Sequence, residues 1–266
     1  MPDRKRFATL CATRRVWAIS AIHGELDRIV AIHRALWPRL EHGDRIVYLG
    51  NMIGRGRAVR ETIDHLLAFR IDFISRPGVF ASDLVFLRGG QEEMWHKLLQ
   101  LQFAADAPGV LGWMIDQGVG STIEAYGGTV AEAQRAAAGG AVTMTRWTSA
   151  LRKAMQTCPG HFQMVSALRR AAFTDDGTLL FVNTGLDPSR PVEAQNDSFW
   201  WSSAGFNRVT EPYGSFRRII RGFDPLHPGF VLGDYTATVD GGCGFGGPLL
   251  AACFLSDGEL IDHLEA

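Results

Sequence analysis

The stretch from Val16 to Leu99 repeats one local pattern three times, and that repetition narrows the fold more than any other feature. Val16 to Ile19 is a short apolar run that ends at a His23-Gly24 turn, after which Leu26, Ile29, Val30, Leu36 and Leu40 recur at helical spacing. Arg45 to Leu49 repeats the run, Gly50 to Gly56 forms a glycine-containing loop, and Val59, Ile63, Leu66 and Leu67 share one helical face. Leu84 to Leu87, the loop Gly89 to Gln91, and Met94, Trp95, Leu98 and Leu99 repeat it again. Strand-loop-helix units in succession predict an α/β domain whose sites lie at the carboxyl ends of strands.

From about Ala105 to Ala172 the chain turns rich in Ala, Gly and helix formers, which predicts a helical insertion over 105–172. Candidate helices run near Val130 to Ala138 and Thr145 to Met155, parted by Gly139-Gly140. After the turn signal Asp175-Asp176-Gly177, short strands are expected at Leu179 to Val182, Arg218 to Ile220, Phe230 to Leu232, Ala237 to Val239 and Leu249 to Leu255. These supply a second sheet. At 266 residues and 46% apolar content, the chain can bury one large core, so 1–266 reads as a single domain. Residues 1–14, charged at Asp3, Arg4, Lys5 and Arg6, read as a flexible tail, with an apolar run too short for a signal or membrane segment.

A net charge of −1 gives no broad basic field, which argues against duplex nucleic acid and an anionic membrane surface as partners. Cys11, Cys158, Cys243 and Cys253 are far apart with no C-x-x-C pair, so neither a zinc site nor a disulfide framework is suggested. A cytoplasmic location fits that usage best.

The strand-end loops carry more specific information. Val16-Trp17-Ala18-Ile19-Ser20-Ala21-Ile22-His23-Gly24-Glu25-Leu26 is similar to the G-D-I-H-G-x-x-x-x-L start of calcineurin-like metallophosphoesterases, with Ala21 where the family has its first metal-binding Asp. Gly43-Asp44-Arg45 through Gly50-Asn51-Met52-Ile53-Gly54-Arg55-Gly56 resembles G-D-R-hydrophobic-G-D-x-x-D-R-G, with Asn51 and Gly54 replacing two aspartates. Val85-Phe86-Leu87-Arg88-Gly89-Gly90-Gln91-Glu92-Glu93-Met94 resembles V-F-L-R-G-N-H-E-E-M, with Gly90 for the metal-binding Asn and Gln91 for the catalytic His. Leu180 to Pro191 is similar to L-F-V-H-A-G-I-D-P-S-R-P of bacterial serine/threonine-phosphatase-like members, the diadenosine-tetraphosphatase-like branch, with Asn183 for a metal-binding His. Ile220 to Pro225 stands in the place of V-H-G-H-T-P, with Phe223 for the last metal-binding His, and Val239 to Leu249 resembles the closing D-T-G turn and strand. The resemblance covers nearly the whole chain and implies two packed β-sheets flanked by helices, an α/β/β/α sandwich.

It also implies what has changed. The family holds two cations that clamp the phosphate and deliver a metal-bound hydroxide. Its ligand positions correspond here to Ala21, His23, Asn51, Gly90, Asn183 and Phe223, of which only His23 keeps the family residue. A bridging ligand between two divalent ions calls for an anionic carboxylate, and Asn51 offers a neutral carbonyl. The family's proton-transfer His and its orienting Asp correspond to Gln91 and Gly54, and glutamine does not protonate a leaving group near neutral pH. No catalytic residue is therefore intact, and no metal cofactor is expected.

His23, Arg55 and Arg88 remain as candidate phosphate ligands, with Arg57 and Arg60 close in sequence, since a guanidinium binds phosphate through paired hydrogen bonds. The alternative is that these arginines only tie loops to carboxylates such as Glu92 or Asp44. Another family arginine has no counterpart, because Ser202-Ser203 follow Phe199-Trp200-Trp201. The expectation is a pseudophosphatase that binds a protein partner or a phosphorylated ligand. The rival is an active serine/threonine-type or dinucleoside-polyphosphate phosphatase with Mn, Fe or Zn around His23, Asn51, Asn183 and Asp224 or Asp234. Gly241 to Gly247 reads as a tight strand connection, and His33, His65, His96, His161, His227 and His263 show no metal spacing.

Overall fold

The computed structural model describes residues 6–266 and contains two mixed β-sheets stacked face to face. One sheet has β2 (Arg15–Ile19), β3 (Asp44–Tyr48) and β4 (Leu84–Phe86) in parallel, extended by β10 (Leu250–Leu255) and β11 (Leu260–Glu265) in the order β11-β10-β2-β3-β4. The other combines β1 (Phe7–Leu10), β5 (Ala171–Thr174), β6 (Leu179–Val182), β7 (Arg218–Arg221), β8 (Gly229–Leu232) and β9 (Thr236–Asp240) in the order β1-β5-β6-β7-β9-β8.

Side chains alternate across a strand, so each central strand serves two cores at once. Val16, Ala18, Val47 and Leu49 point to the layer between the sheets, where they meet Leu179, Phe181, Ile220 and Val239. Trp17, Ile19, Ile46 and Tyr48 point the other way, into a helical layer. Leu180, Val182 and Ile219 pack under Phe199, Trp200 and Phe206 on the outer face of the second sheet. Both faces of both sheets are thereby covered, as the α/β/β/α reading expected.

Helices α1 (Leu26–Leu36), α2 (Val59–Ile74) and α3 (Gly90–Leu98) each follow a parallel strand, as the repeated pattern predicted. Helices α4 (Ala107–Asp116), α5 (Gly120–Ala125), α6 (Val130–Ala138), α7 (Gly140–Thr157) and α8 (His161–Ser166) fill the expected helical segment. Their buried residues, among them Met114, Tyr126, Leu151 and Met155, join the same cluster as α1 to α3. Two short helices, α9 (Ser198–Trp201) and α10 (Ser203–Phe206), cover the second sheet. No helix among the described residues is long and apolar enough to cross a membrane.

Two boundaries need correction. Residues 1–5 of the expected tail lie outside the described residues, but Phe7–Leu10 is a strand with Phe7 and Leu10 buried, paired in parallel to β5. Its partner lies far along the chain, so no local pattern announces it. The helical segment also stops short of 172, because Ala171 and Ala172 already belong to β5, where small residues fit between tightly packed layers.

Candidate functional site

The loops after β2, β3, β4, β6, β7 and β9 meet at one edge of the sandwich and bring together all the family-motif positions. Ala21 N–H donates to the Gly222 carbonyl at 3.0 Å, the Ile22 and His23 N–H groups donate to the Asn51 carbonyl at 3.0 and 2.7 Å, and the Gly222 and Phe223 N–H groups donate to the Asn183 carbonyl, each at 3.0 Å. His23, Asn51, Arg55 and His227 all have positive φ, of 54°, 55°, 50° and 46°. Among the described non-glycine residues only Ala12 and Asn196 share that conformation, so left-handed backbone is concentrated here.

Asn51 and Asn183, the two amides that the motif resemblance led us to expect in metal-ligand positions, hold a helix end. Asn51 Oδ1 accepts the Gln91 N–H at 3.0 Å and Asn183 Oδ1 accepts the Gly90 N–H at 3.2 Å. These are N–H groups in the first turn of α3, which have no partner inside the helix. A partial positive charge at a helix terminus therefore faces the amide oxygens. Asn183 Nδ2 donates to the Leu49 carbonyl at 2.7 Å, and so fixes the β3 loop from the opposite sheet. Glu92 ties the rest together: its buried carboxylate accepts N–H groups from Asn51, Met52 and Ile53 at 2.7 to 3.2 Å and from Gly89 at 2.8 Å. Sequence reasoning considered Glu92 only as an arginine's partner. Its real signal was its place three residues after a glycine that ends a strand loop, where a glutamate reaches back to cap the helix.

The remaining replacements fill space. A β-carbon on Gly90 would lie 3.1 Å from the Trp201 ring, which is half exposed above it and meets Trp113 edge-on at 5.8 Å. Gln91 lies against Gly54 and donates from Nε2 to the Gln117 carbonyl at 2.7 Å. Phe223 meets the His23 ring at 5.7 Å, and Phe245, at the tip of the Gly241 to Gly247 connection, meets it at 5.5 Å. His23 is 1% exposed and neither ring nitrogen has a hydrogen-bond partner. Burial, together with the nearby Arg55 charge, holds its pKa down to about 3, so the ring is neutral.

The candidate arginines separate. Arg88 Nη1 pairs with Glu93 at 3.1 Å, so it serves the loop. Asp44, the other carboxylate considered, pairs with Arg15. Arg55 has no ion pair among the described residues; its guanidinium lies 3.9 Å above the Phe245 ring, and burial lowers its pKa. The two extra carboxylates of the rival metal arrangement do not approach His23 as free ligands. Asp224 is buried in an ion pair with Arg221, and Asp234 is exposed in the turn between β8 and β9.

The residues present do not fit a pair of divalent cations. Ala21, Gly90 and Phe223 carry no donor, no carboxylate is available to bridge, and the oxygens of Asn51 and Asn183 already accept N–H groups. Among the described residues no three His, Cys, Asp or Glu side chains are grouped as metal ligands.

This sandwich is the calcineurin-like phosphoesterase fold. The chain is similar in structure to a protein assigned as a diadenosine tetraphosphatase, with a TM-score of 0.56, 17% identity, and 98% of each chain covered. It is also similar to a serine/threonine phosphatase from Saccharomyces cerevisiae, at 0.53 and 13% identity over 96% of this chain and 81% of that one. A cold-active protein tyrosine phosphatase matches at 0.51 and 15% identity over 98% and 82%. No family profile and no curated protein sequence matches the chain.

Proposed function

We propose that this chain is a pseudophosphatase: it keeps the phosphoesterase scaffold, does not hydrolyse phosphoesters, and binds a phosphorylated ligand through Arg55. The observation that supports the first half is the capping of α3 by Asn51 and Asn183, since each neutral amide oxygen already accepts an N–H at 3.0 or 3.2 Å and offers a cation only the weak donor that remains. Arg55 carries the second half. A guanidinium with no acidic partner, at the edge where the strand loops converge, is a ready counterion for phosphate. The names of the structurally similar proteins, all phosphatases, agree with that ligand class. The buried, unpartnered nitrogens of His23 are the one feature that favours the rival enzyme. One imidazole does not hold two cations.

Metal analysis with an aryl phosphate assay tests the first half. Purification in buffer containing Mn, Fe or Zn should leave less than one metal per chain, and added Mn should produce no turnover. Stoichiometric metal with activity abolished in His23→Ala would overturn it. For the second half, phosphopeptides or nucleotides should raise the melting temperature by binding the folded state, and Arg55→Ala should remove the shift. A second reading, a partner protein docking over the same mouth, draws on the exposed Trp113 and Trp201 and predicts no response to small phosphates.

A further inference from the structure

His227 presents an unused ring nitrogen at the same mouth. It lies in the loop between β7 and β8, its N–H donates to the Asp224 carbonyl at 2.9 Å, and its Nδ1 is 2.9 Å from Asp240 Oδ2. Asp240 is buried at the end of β9 and also accepts N–H groups from Asp224 at 2.8 Å and Gly242 at 3.0 Å. A carboxylate only accepts, so Nδ1 carries a proton, and in the neutral tautomer that this pairing selects the lone pair lies on Nε2. Nε2 has no partner among the described residues, and the side chain is 19% exposed.

Phe245 connects this histidine to Arg55. Its ring centroid lies 4.1 Å from the His227 ring and 3.9 Å from the Arg55 guanidinium carbon. It is 42% exposed at the tip of a turn in which Gly242, Gly244 and Gly246 all have positive φ. A guanidinium with no ion pair among the described residues and the unused Nε2 of His227 thus flank one aromatic side chain on a glycine-rich tip.

We propose that Arg55 and His227 together bind a phosphate-type oxyanion, that Asp240 is the positioning residue that fixes the His227 tautomer, and that Phe245 is the side chain the anion displaces. This rests on the reading of Arg55 given above. The guanidinium supplies charge and paired donors. The lone pair on Nε2 accepts a hydrogen bond from a protonated phosphate oxygen, which selects against an anion that carries no proton. Inorganic phosphate keeps a proton near neutral pH and sulfate does not.

Calorimetric titration of the full chain at pH 8 with inorganic phosphate and with sodium sulfate tests this. The wild type should prefer phosphate by about tenfold, the worth of one hydrogen bond to a charged group. His227→Phe should bind both anions equally and weakly. Asp240→Asn, whose amide N–H can donate to Nδ1 and so move the proton to Nε2, should bind sulfate as well as phosphate, provided that its melting curve shows a folded protein. Phe245→Ala should tighten phosphate several-fold with the preference intact, and does not depend on a folded Asp240 variant. Binding lost in Arg55→Ala but unchanged in His227→Phe would overturn this inference and leave the proposed function standing. Wild type that binds neither anion would overturn this inference together with the Arg55 reading, while the metal and turnover assays would still decide the hydrolytic question.

Discussion

The side chain of Gln91 occupies the place where a β-carbon on Gly54 would have to be. The motif resemblance led us to expect a proton-transfer pair at these two positions, and here the Gln91 side chain leaves room for nothing larger than glycine at 54. Gly54 also has φ 89°, which a side chain tolerates poorly. Gly54→Ala should therefore lower stability by roughly 2 to 4 kcal/mol, from left-handed strain plus overpacking. In the background of Gln91→Ala, the overpacking part should vanish. Urea denaturation of the two single variants and the double variant reads the coupling, and strictly additive losses would show that the residues are not in contact.

Acid should destabilise this protein through buried neutral histidines. Burial lowers His23 to about 3 and, with His65 beside it, His33 to about 2. In the unfolded chain both titrate near 6.5, so below that pH the unfolded state binds more protons. Their contribution is present above pH 6.5 and is lost as pH falls toward 3, at up to roughly 1.4 kcal/mol per pH unit for each histidine. His23→Leu removes one share of that slope. Because neither ring nitrogen of His23 is hydrogen-bonded, the variant should stay within about 1 kcal/mol of wild type at pH 7. A large loss at neutral pH would mean that His23 has a partner in solution.

Asp224 gives a cleaner separation of structural and metal roles. Arg221, buried with it, donates to Thr238 and Ser203 and stacks on Phe206 at 4.2 Å. Asp224→Ala strands that cation and should cost about 3 to 5 kcal/mol, whereas the double change with Arg221→Met should recover part of the loss. Both values should be the same with and without a chelator. Chelator sensitivity confined to proteins that retain Asp224 would point to a metal there instead.

Restoring the family ligands as a set should fail without metal. Ala21→Asp, Asn51→Asp, Gly54→Asp, Gly90→Asn, Gln91→His, Asn183→His and Phe223→His together bury clustered carboxylates, remove both caps of α3 and drive a side chain toward Trp201. The melting temperature should fall well below that of the parent, and Mn should recover part of it. A metal-free set variant as stable as the parent would mean an open, hydrated site.

Much of this was legible locally. The parallel strands and α1 to α3 follow from apolar runs, glycine loops and helical spacing. What the sequence hides is reuse. Nothing in the letters of Asn51 or Asn183 distinguishes a weakened ligand from a helix cap, because the difference lies in which N–H faces the oxygen across 40 and 93 residues. The pairing of His227 with Asp240 is hidden for the same reason, and β11, Leu260–Glu265, lies where the sequence reading named no strand.

The edge strand β1 has a consequence for biogenesis. Its parallel partner is β5, and the Ala12 N–H next to it bonds to Asp175 across 163 residues. Strand β2, a few residues later, belongs to the opposite sheet. During synthesis β2 can pair with β3 soon after both emerge, but β1 must wait for β5 before it has a template. Closure of such a distant pair is slow relative to local helix formation. The two sheets are therefore sewn together by β1 and β2, and a nascent chain stalled ahead of Ala171 would hold Phe7 and Leu10 as unburied side chains available to chaperones.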